Sequence, residues 1–565
     1  MGTYEITRDG IVHGNLKGAL MALTLATGAA SALPAAATEA PTAPKLIVAI
    51  SVDQFSAGLF NEWRGKFSGG MKRLAGGVAY TNGYQSHAAT ETCPGHSTLL
   101  TGVHPNKTGI VGNDYRDPDT GKMIYCLQDS AVTRAEGGGA SPVGPGRLMA
   151  TTLGDWLKAA SPQSRVVAVS GKDRGAINMA GHQGDGVFWM QPGFGFTTYL
   201  RPGETAAAKL APVAAVNARL ARNWARPPRW TYTSADCRAR EATWTIDGRP
   251  WVSKVQPAGW GESDKPADIQ RDVIASPMND EMTAAAARDL IDSYRLGRGP
   301  AVDVLAISFS GTDSVGHRYG TAGPEMCEQM HRLDAAVGSV LAKLDAARIP
   351  YVVALAADHG GSDFPQRLAA RGYTDAKTVD GRAAFARVNQ SVMAQFNLAA
   401  PPLTGSLDEV YFATPPGVDK ARFESAVRDA VAAQPEIAAA FTQGELLATP
   451  IPSGKSPEEL TIRERFAEST YPGRSADVIA ALQPYTVGRA ITPGVYMSSH
   501  GTVWNYDRRI PILFWWPGAD AQERFLPLET IDIAPTLAAL VGLAPPAGID
   551  GRCRMLRAGA CPTAP

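Results

Sequence analysis

What this 565-residue sequence has little of narrows the field first. No apolar run reaches the roughly 20 residues a helix needs to cross a bilayer, so a helical membrane span is not expected. Charge of one sign is not in excess either, since 54 Lys and Arg stand against 54 Asp and Glu. That balance removes the basic footprint of nucleic-acid binding, and any phosphate-seeking charge has to be local. Cysteine is sparse at six. Cys93, Cys126, Cys237 and Cys327 show no C-x-x-C spacing, so the sequence leaves their partners open. Internal repeats and extended low-complexity tracts are missing after residue 45. What remains is ordinary globular composition, 44% hydrophobic and 19% charged. The length allows two to four average domains, or one large α/β domain with insertions.

Near the start, Lys17 precedes "GALMALTLATGAASA" and then "LPAAATEAPTAP". A positive flank, a short apolar run and small-residue cleavage positions between Ala32 and Ala37 read as a secretory signal. A buried helix would not lead into such a Pro/Ala-rich stretch. The expected layout is a signal with its preceding residues over 1–37, a linker over 38–44, and a catalytic domain over 45–565. Export to the periplasm or beyond fits disulfide use, and Cys553 with Cys561 would close a short loop that pins the C-terminal tail.

From residue 45 the chain shows buried-strand runs: "KLIVAISVDQ" closing on Asp53, "SRVVAVSGKDRGAI" reaching Lys172 and Arg174, "VDVLAISFSGTDSVGH" reaching Asp313, "IPYVVALAADHGG" reaching Asp358, and "RRIPILFWWPG" after His500. Runs apolar on both faces and separated by helical patterns predict a mainly parallel central sheet flanked by helices on both faces. In such sheets ligands bind beyond the carboxyl ends of the strands. The segment 324–348 has apolar residues at Met330, Leu333, Val337, Val340, Leu341 and Leu344, the spacing of one buried helix face. A second helix, 279–297, opens on acidic residues and closes on Gly297. Residues about 185–275 and 362–490 break the pattern and are expected as insertions that cap the site.

Aspartates and three of the nine histidines stand at those strand ends. "GTDSVGH" offers Asp313 and His317 on one helical face; "AADHGG" offers Asp358 and His359 before two glycines; "SSHG" offers His500; "SVDQ" offers Asp53. A mixed carboxylate and imidazole set suits Zn²⁺. Six ligands exceed one open site and divide between two ions, which about 3.5–4 Å apart can hold the attacking and leaving oxygens of an in-line displacement. Acidic loops leave room for a further structural Ca²⁺ or Mg²⁺.

The stretch "ATETCPGHSTLLTG" then supplies a nucleophile. Pro94 and Gly95 turn the chain into a helix whose N-terminal N–H groups favour an anion, which puts Thr92 where a phosphate should land. A hydroxyl beside a divalent cation becomes a competent alkoxide. Thr90 and Cys93 are rivals for this role, and His96 reads as a loop brace.

Together, "SVDQ", "TETCPGHSTLLTG", "GIVGNDY", "SGKDRGAI", "GTDSVGH", "AADHGG" and "SSHGTVWNYDRRIPILFW" resemble the alkaline phosphatase superfamily in its threonine-nucleophile branch, that of the bacterial secreted alkaline phosphatases of the sphingomonad type. The likeness runs over essentially the whole chain after the linker. It implies a zinc-dependent phosphomonoesterase of broad range working through a phosphothreonine intermediate. Asp313, His317 and His500 match one zinc site, and Asp53, Asp358 and His359 match the other, which Thr92 also joins. Asn113 matches an asparagine that contacts a phosphoryl oxygen, and Lys172 and Arg174 match the basic pair that grips a monoester. The implied partners are small phosphate monoesters and the product, inorganic phosphate.

A nucleotide pyrophosphatase/phosphodiesterase shares the ligands, the threonine and the asparagine, but the Lys172 and Arg174 pair argues for the monoester dianion. A sulfatase would need a different cysteine-to-proline spacing and a following arginine. Phosphopentomutases and cofactor-independent phosphoglycerate mutases fit an export signal badly. A binding protein that had lost turnover would lack the nucleophile or a ligand, and neither is missing. The physiological substrate and the oligomeric state are not legible.

Overall fold

The computed structural model of the protein describes residues 43–137, 141–256, 260, 262–452, 454–557 and 561. The expected signal and most of the linker lie outside the described residues. Ten strands form the large sheet: β1 (Leu46–Val52), β2 (Val78–Tyr84), β3 (Val166–Ser170), β4 (Gly186–Gln191), β5 (Gly195–Thr197), β6 (Asp303–Phe309), β7 (Tyr351–Ala356), β8 (Arg509–Trp515), β9 (Gln522–Arg524) and β10 (Leu528–Glu529). Their spatial order is β9-β2-β8-β7-β1-β6-β3-β4-β5, with β10 also paired to β2.

The apolar runs become the centre of this sheet. Every residue of β1, β3, β6 and β7 is buried, as strands covered by helices on both faces must be. β1 pairs in parallel with β6 and β7, and β6 with β3, in unshifted register. Val52 therefore lies level with Phe309, Ser51 with Ala356, and Ser308 with Ser170. Four strands end at one height, and Asp53, Lys172, Asp358 and Asp313 follow within one to four residues of their ends.

Two strands run against the parallel direction: β5 lies antiparallel to β4 at the sheet edge, and β8 differs from the expected direction. β8 runs antiparallel to both β7 and β2, so the sheet is mixed around a parallel centre. The chain reaches β8 from the His500 loop at the carboxyl edge and can only run back down the sheet.

The helices that matter for the site are α1 (Thr92–Leu99), α2 (Asp173–Ala180), α3 (Met278–Ser293), α4 (Gly311–Tyr319) and α5 (Pro324–Ala346). The predicted stripe of α5, from Met330 to Leu344, is buried. Within 185–275, β4 and β5 join the sheet edge, and a hairpin (242–246 with 249–253) follows. Its Trp244 and Trp251 pack edge-on against Phe364, centroids 5.5 and 5.9 Å apart. Within 362–490 an antiparallel four-stranded sheet and two helices, Gly381–Phe396 and Lys420–Ala432, enclose a separate small core around Val388, Val410, Phe423 and Val427.

Three disulfides pin this frame: Cys93–Cys126, Cys237–Cys327 and Cys553–Cys561. The last is the expected tail closure. Among the described residues no helix is long and apolar enough to cross a membrane.

Candidate metal-binding active site

At the carboxyl end of β1, Asp53 is fully buried; so are Asp358 and His359 beyond β7, and Asp313 in the first turn of α4 is 3% exposed. His317, one helical turn on, brings its Nε2 to 3.2 Å from Asp313 Oδ1, and His500 Nε2 comes to 3.4 Å from the same oxygen. His359 Nε2 lies 3.4 Å from both Asp53 Oδ1 and Asp358 Oδ2. Ligand atoms of Asp53, Asp358 and His359 lie within 4.8 Å of one another, and so do those of Asp313, His359 and His500. His359 thus faces both clusters, its ring stacked on His500 at 3.6 Å.

All three imidazoles are oriented the same way. Nδ1 of His317 donates to Ser498 O, that of His359 to Gly360 O, and that of His500 to Thr90 O, each at 2.8 Å. A carbonyl only accepts, so Nδ1 carries a proton in each and Nε2 is turned inward, which in the neutral ring is the tautomer a metal-ligating histidine needs.

The inward atoms test whether cations fit. Asp53 Oδ1, Asp313 Oδ1, Asp358 Oδ2 and His359 Nε2 are buried and have no hydrogen-bond partner among the described residues. Orphaned buried carboxylate oxygens are costly unless a cation or donor meets them. Here they converge, and a borderline divalent ion is the natural occupant of such an N/O set. Burial and close neighbours also shift the protonation equilibria of these groups. Burial, then Asp313 and Asp358, push Asp53 well above the usual carboxylate range. His359 is lowered to about 3, chiefly by burial. Burial also pulls His500 down, but Asp313 outweighs it and lifts the imidazole to about 9.

Lys172 follows β3 and caps α2. Its Nζ donates to Asp53 Oδ2 and Asp313 Oδ2, both at 2.5 Å. Each of these carboxylates therefore gives one oxygen to Lys172 and turns the other into its cluster. Burial opposes the charge on Lys172, but Asp313 and Asp53 prevail and raise its pKa. Arg174 donates from Nη1 to the Tyr125 hydroxyl at 3.4 Å, and that hydroxyl donates to Asp173 at 2.6 Å. Its Nε is buried without a partner among the described residues.

Thr92 opens α1 at 1% exposure, and its hydroxyl bonds to no described residue. Gly95 makes the close approach possible: a Cβ there would sit 2.0 Å from Asp358 O. Asn113 accepts the Cys93 N–H on Oδ1 at 2.9 Å, which leaves Nδ2 as a free donor.

Sequence reasoning passed over several supports. His96 is the loop brace read from the sequence, with partners the sequence does not name: Nδ1 meets Thr92 O at 2.9 Å and lies 3.1 Å from Asp358 Oδ2, while Nε2 meets Ser308 Oγ at 2.8 Å. Glu91 accepts the Asn113 N–H at 2.7 Å, and Tyr125 steadies Arg174. Their partners are distant in sequence, so only spacing-independent contacts reveal them. Of the two rivals of Thr92, Thr90 sends its hydroxyl to Thr502 O at 2.7 Å, and Cys93 is held in a disulfide. A third cluster, Cys237, Cys327 and His331, is closed by its own disulfide.

The α/β frame with converging carboxylates and imidazoles at parallel strand ends defines a metallohydrolase-like class of protein. Residues 47–487 match the type I phosphodiesterase / nucleotide pyrophosphatase family, and the chain belongs to this family, within the alkaline phosphatase superfamily. It is 39% identical to alkaline phosphatase PhoK of Sphingomonas sp. over 92% of both chains. It is also 39% identical to alkaline phosphatase PhoD of Zymomonas mobilis, over 90% of this chain and 87% of that one. The crystal structure of alkaline phosphatase PafA shares the fold, with a TM-score of 0.77 at 24% identity over 91% of this chain and 99% of that one.

Proposed function

We propose that the chain is an alkaline phosphatase, a metal-dependent phosphomonoesterase with Thr92 as nucleophile. The observation that carries the reading is the convergence of four orphaned ligand atoms beside Lys172 and Arg174. The 39% identity to two named alkaline phosphatases supports the same reaction class. Asp313, His317 and His500 would hold one Zn²⁺, and Asp53, Asp358, His359 and the Thr92 hydroxyl a second. Bound there, such ions would supply Lewis-acid charge that activates a hydroxyl and stabilises a departing alkoxide.

The chain's own groups account for the rest. Thr92 Oγ1 attacks phosphorus, the ester oxygen leaves on the opposite side, and a phosphothreonine forms. Water then attacks this ester, releasing inorganic phosphate and restoring the hydroxyl. Phosphoryl transfer is mostly positioning and charge stabilisation, and the donors for it are at hand. Lys172 has three N–H bonds, of which two go to Asp53 and Asp313 and one remains for a phosphoryl oxygen. Arg174 keeps Nε, and Asn113 keeps Nδ2. Two cations suit a monoester dianion with three non-bridging oxygens.

The inserted segments 185–275 and 362–490 serve as caps in this reading, and three disulfides support an oxidising compartment, periplasmic or extracellular, as the place where the enzyme works. The family match favours one second reading, a phosphodiesterase. Steady-state kinetics on p-nitrophenyl phosphate and bis-p-nitrophenyl phosphate, with a chelator control, separate the two. A chelator-sensitive preference for the monoester is expected; preference for the diester would move the assignment and leave the Lys172 and Arg174 pair unexplained.

A further inference from the structure

Asn113 is held from three sides. Its Oδ1 accepts the Cys93 N–H at 2.9 Å, its main-chain O accepts the Cys126 N–H at 2.9 Å, and its own N–H donates to Glu91 Oε2 at 2.7 Å. The two cysteines whose N–H groups grip the two oxygens of this one residue are joined to each other, and both are fully buried. Cys93 directly follows Thr92 in the first turn of α1. Cys126 directly follows Tyr125, whose hydroxyl meets both Asp173 and Arg174. One covalent link therefore spans the segment that carries the nucleophile and the segment that carries the asparagine and the support of the arginine.

We infer that the Cys93–Cys126 disulfide is a positioning bond for the reaction: it fixes the Asn113 amide relative to Thr92, and acts on turnover through Asn113. The inference rests on the phosphoryl-transfer reading given above. The physical reason is geometric. Residues 114–116 and 123–125 form a two-stranded hairpin, which is marginal by itself, so the placement of Asn113 at its base depends on what ties it down. Misplacement of a contacting group by about 1 Å can cost about a hundredfold in rate. The other two disulfides do not touch this set: Cys237–Cys327 joins the first inserted segment to α5, and Cys553–Cys561 closes the tail.

A double-mutant cycle on the metal-loaded enzyme tests this. Cys93→Ala/Cys126→Ala should lower kcat about tenfold to a hundredfold with bound metal unchanged. The same pair of substitutions made in an Asn113→Ala background should cost no more than about twofold further, because the group it positions is gone. Cys237→Ala/Cys327→Ala, a control, should lower the melting temperature and leave kcat in place. Cys126→Ala alone, which keeps the Cys93 side chain packed, is the second variant should the first not fold, and carries the same expectation. Full retained kcat without the bond, or equal losses in both backgrounds, would overturn the inference; so would loss of bound metal. The cycle is run on whichever ester the wild-type enzyme turns over faster. A wild-type preference for the diester thus counts against the phosphomonoesterase reading, while the cycle still decides the role of the disulfide.

Discussion

Thr92 is buried and unengaged, unlike the hydroxyls that neighbour it along the chain. Thr90, Thr98 and Ser97 are each committed to a hydrogen bond, whereas Thr92 has none among the described residues. Thr92→Ala should therefore lower turnover by several orders of magnitude, as removal of a nucleophile does. It should also abolish labelling of the protein by radioactive phosphate and leave metal content largely intact, because the six aspartate and histidine ligands remain. Full retained turnover would remove Thr92 from the role. The cation pair gives a second residue-scale prediction. Lys172→Ala with Arg174→Ala should reduce monoester turnover far more than diester turnover, since the dianion brings a second negative charge and a third non-bridging oxygen to the pair. Equal losses on the two substrates would count against the monoester assignment, and the measurement is kcat/KM on the two nitrophenyl esters.

The elements explain why so much of this was legible and where legibility stopped. β1, β3, β6 and β7 could be read because they are buried on both faces and end in the same kind of residue, an ionisable group at the carboxyl edge. The direction of β8 could not, because a strand's sense is set by which edge the preceding loop leaves from, and His500 lies at the end of a long insertion. Nor could the sequence pair Asn113 with Cys93 and Cys126, or Tyr125 with Arg174, since these contacts follow no period. Gly95 is an element-scale constraint on α1: Gly95→Ala would drive a Cβ into the Asp358 carbonyl. At least the roughly 1–3 kcal/mol of overpacking is expected, with metal loss beside it, measured by denaturant midpoint and metal content. Asp280 on α3 holds the start of α4, accepting from Gly311 N–H at 2.8 Å and Gln329 Nε2 at 2.6 Å. Burial raises it to about 7. A carboxyl raised in the folded state contributes stability that is present below its unfolded value and is lost as pH rises toward the folded one, at roughly 1.4 kcal/mol per unit. Asp280→Asn cannot ionise, so its deficit against wild type should be largest near pH 5 and shrink or reverse by pH 8. A deficit independent of pH would show that Asp280 is not held neutral.

At the scale of the whole molecule, the site is a concentration of negative charge inside the fold, with Lys172 as its neighbouring ammonium. Without metal, the protein favours the protonated form of Asp53, whose pKa burial and two neighbouring carboxylates raise well above the usual carboxylate range. It keeps His500 protonated against Asp313, at about 9. Both are raised groups, so what they contribute is present at low pH and lost as pH rises. Metal binding needs the opposite state, an ionised carboxylate and a neutral imidazole, and so competes with those two protons. A ligand that binds only the native state adds about 4 kcal/mol per site at a thousandfold excess over its dissociation constant. The gap in melting temperature between loaded and chelated protein should therefore widen from pH 5.5 to pH 8, and adding metal to the chelated protein in weak buffer should release protons. A gap that is constant or narrows with pH would mean that Asp53 and His500 do not change protonation when metal binds, and the ligand assignment at both would have to be withdrawn.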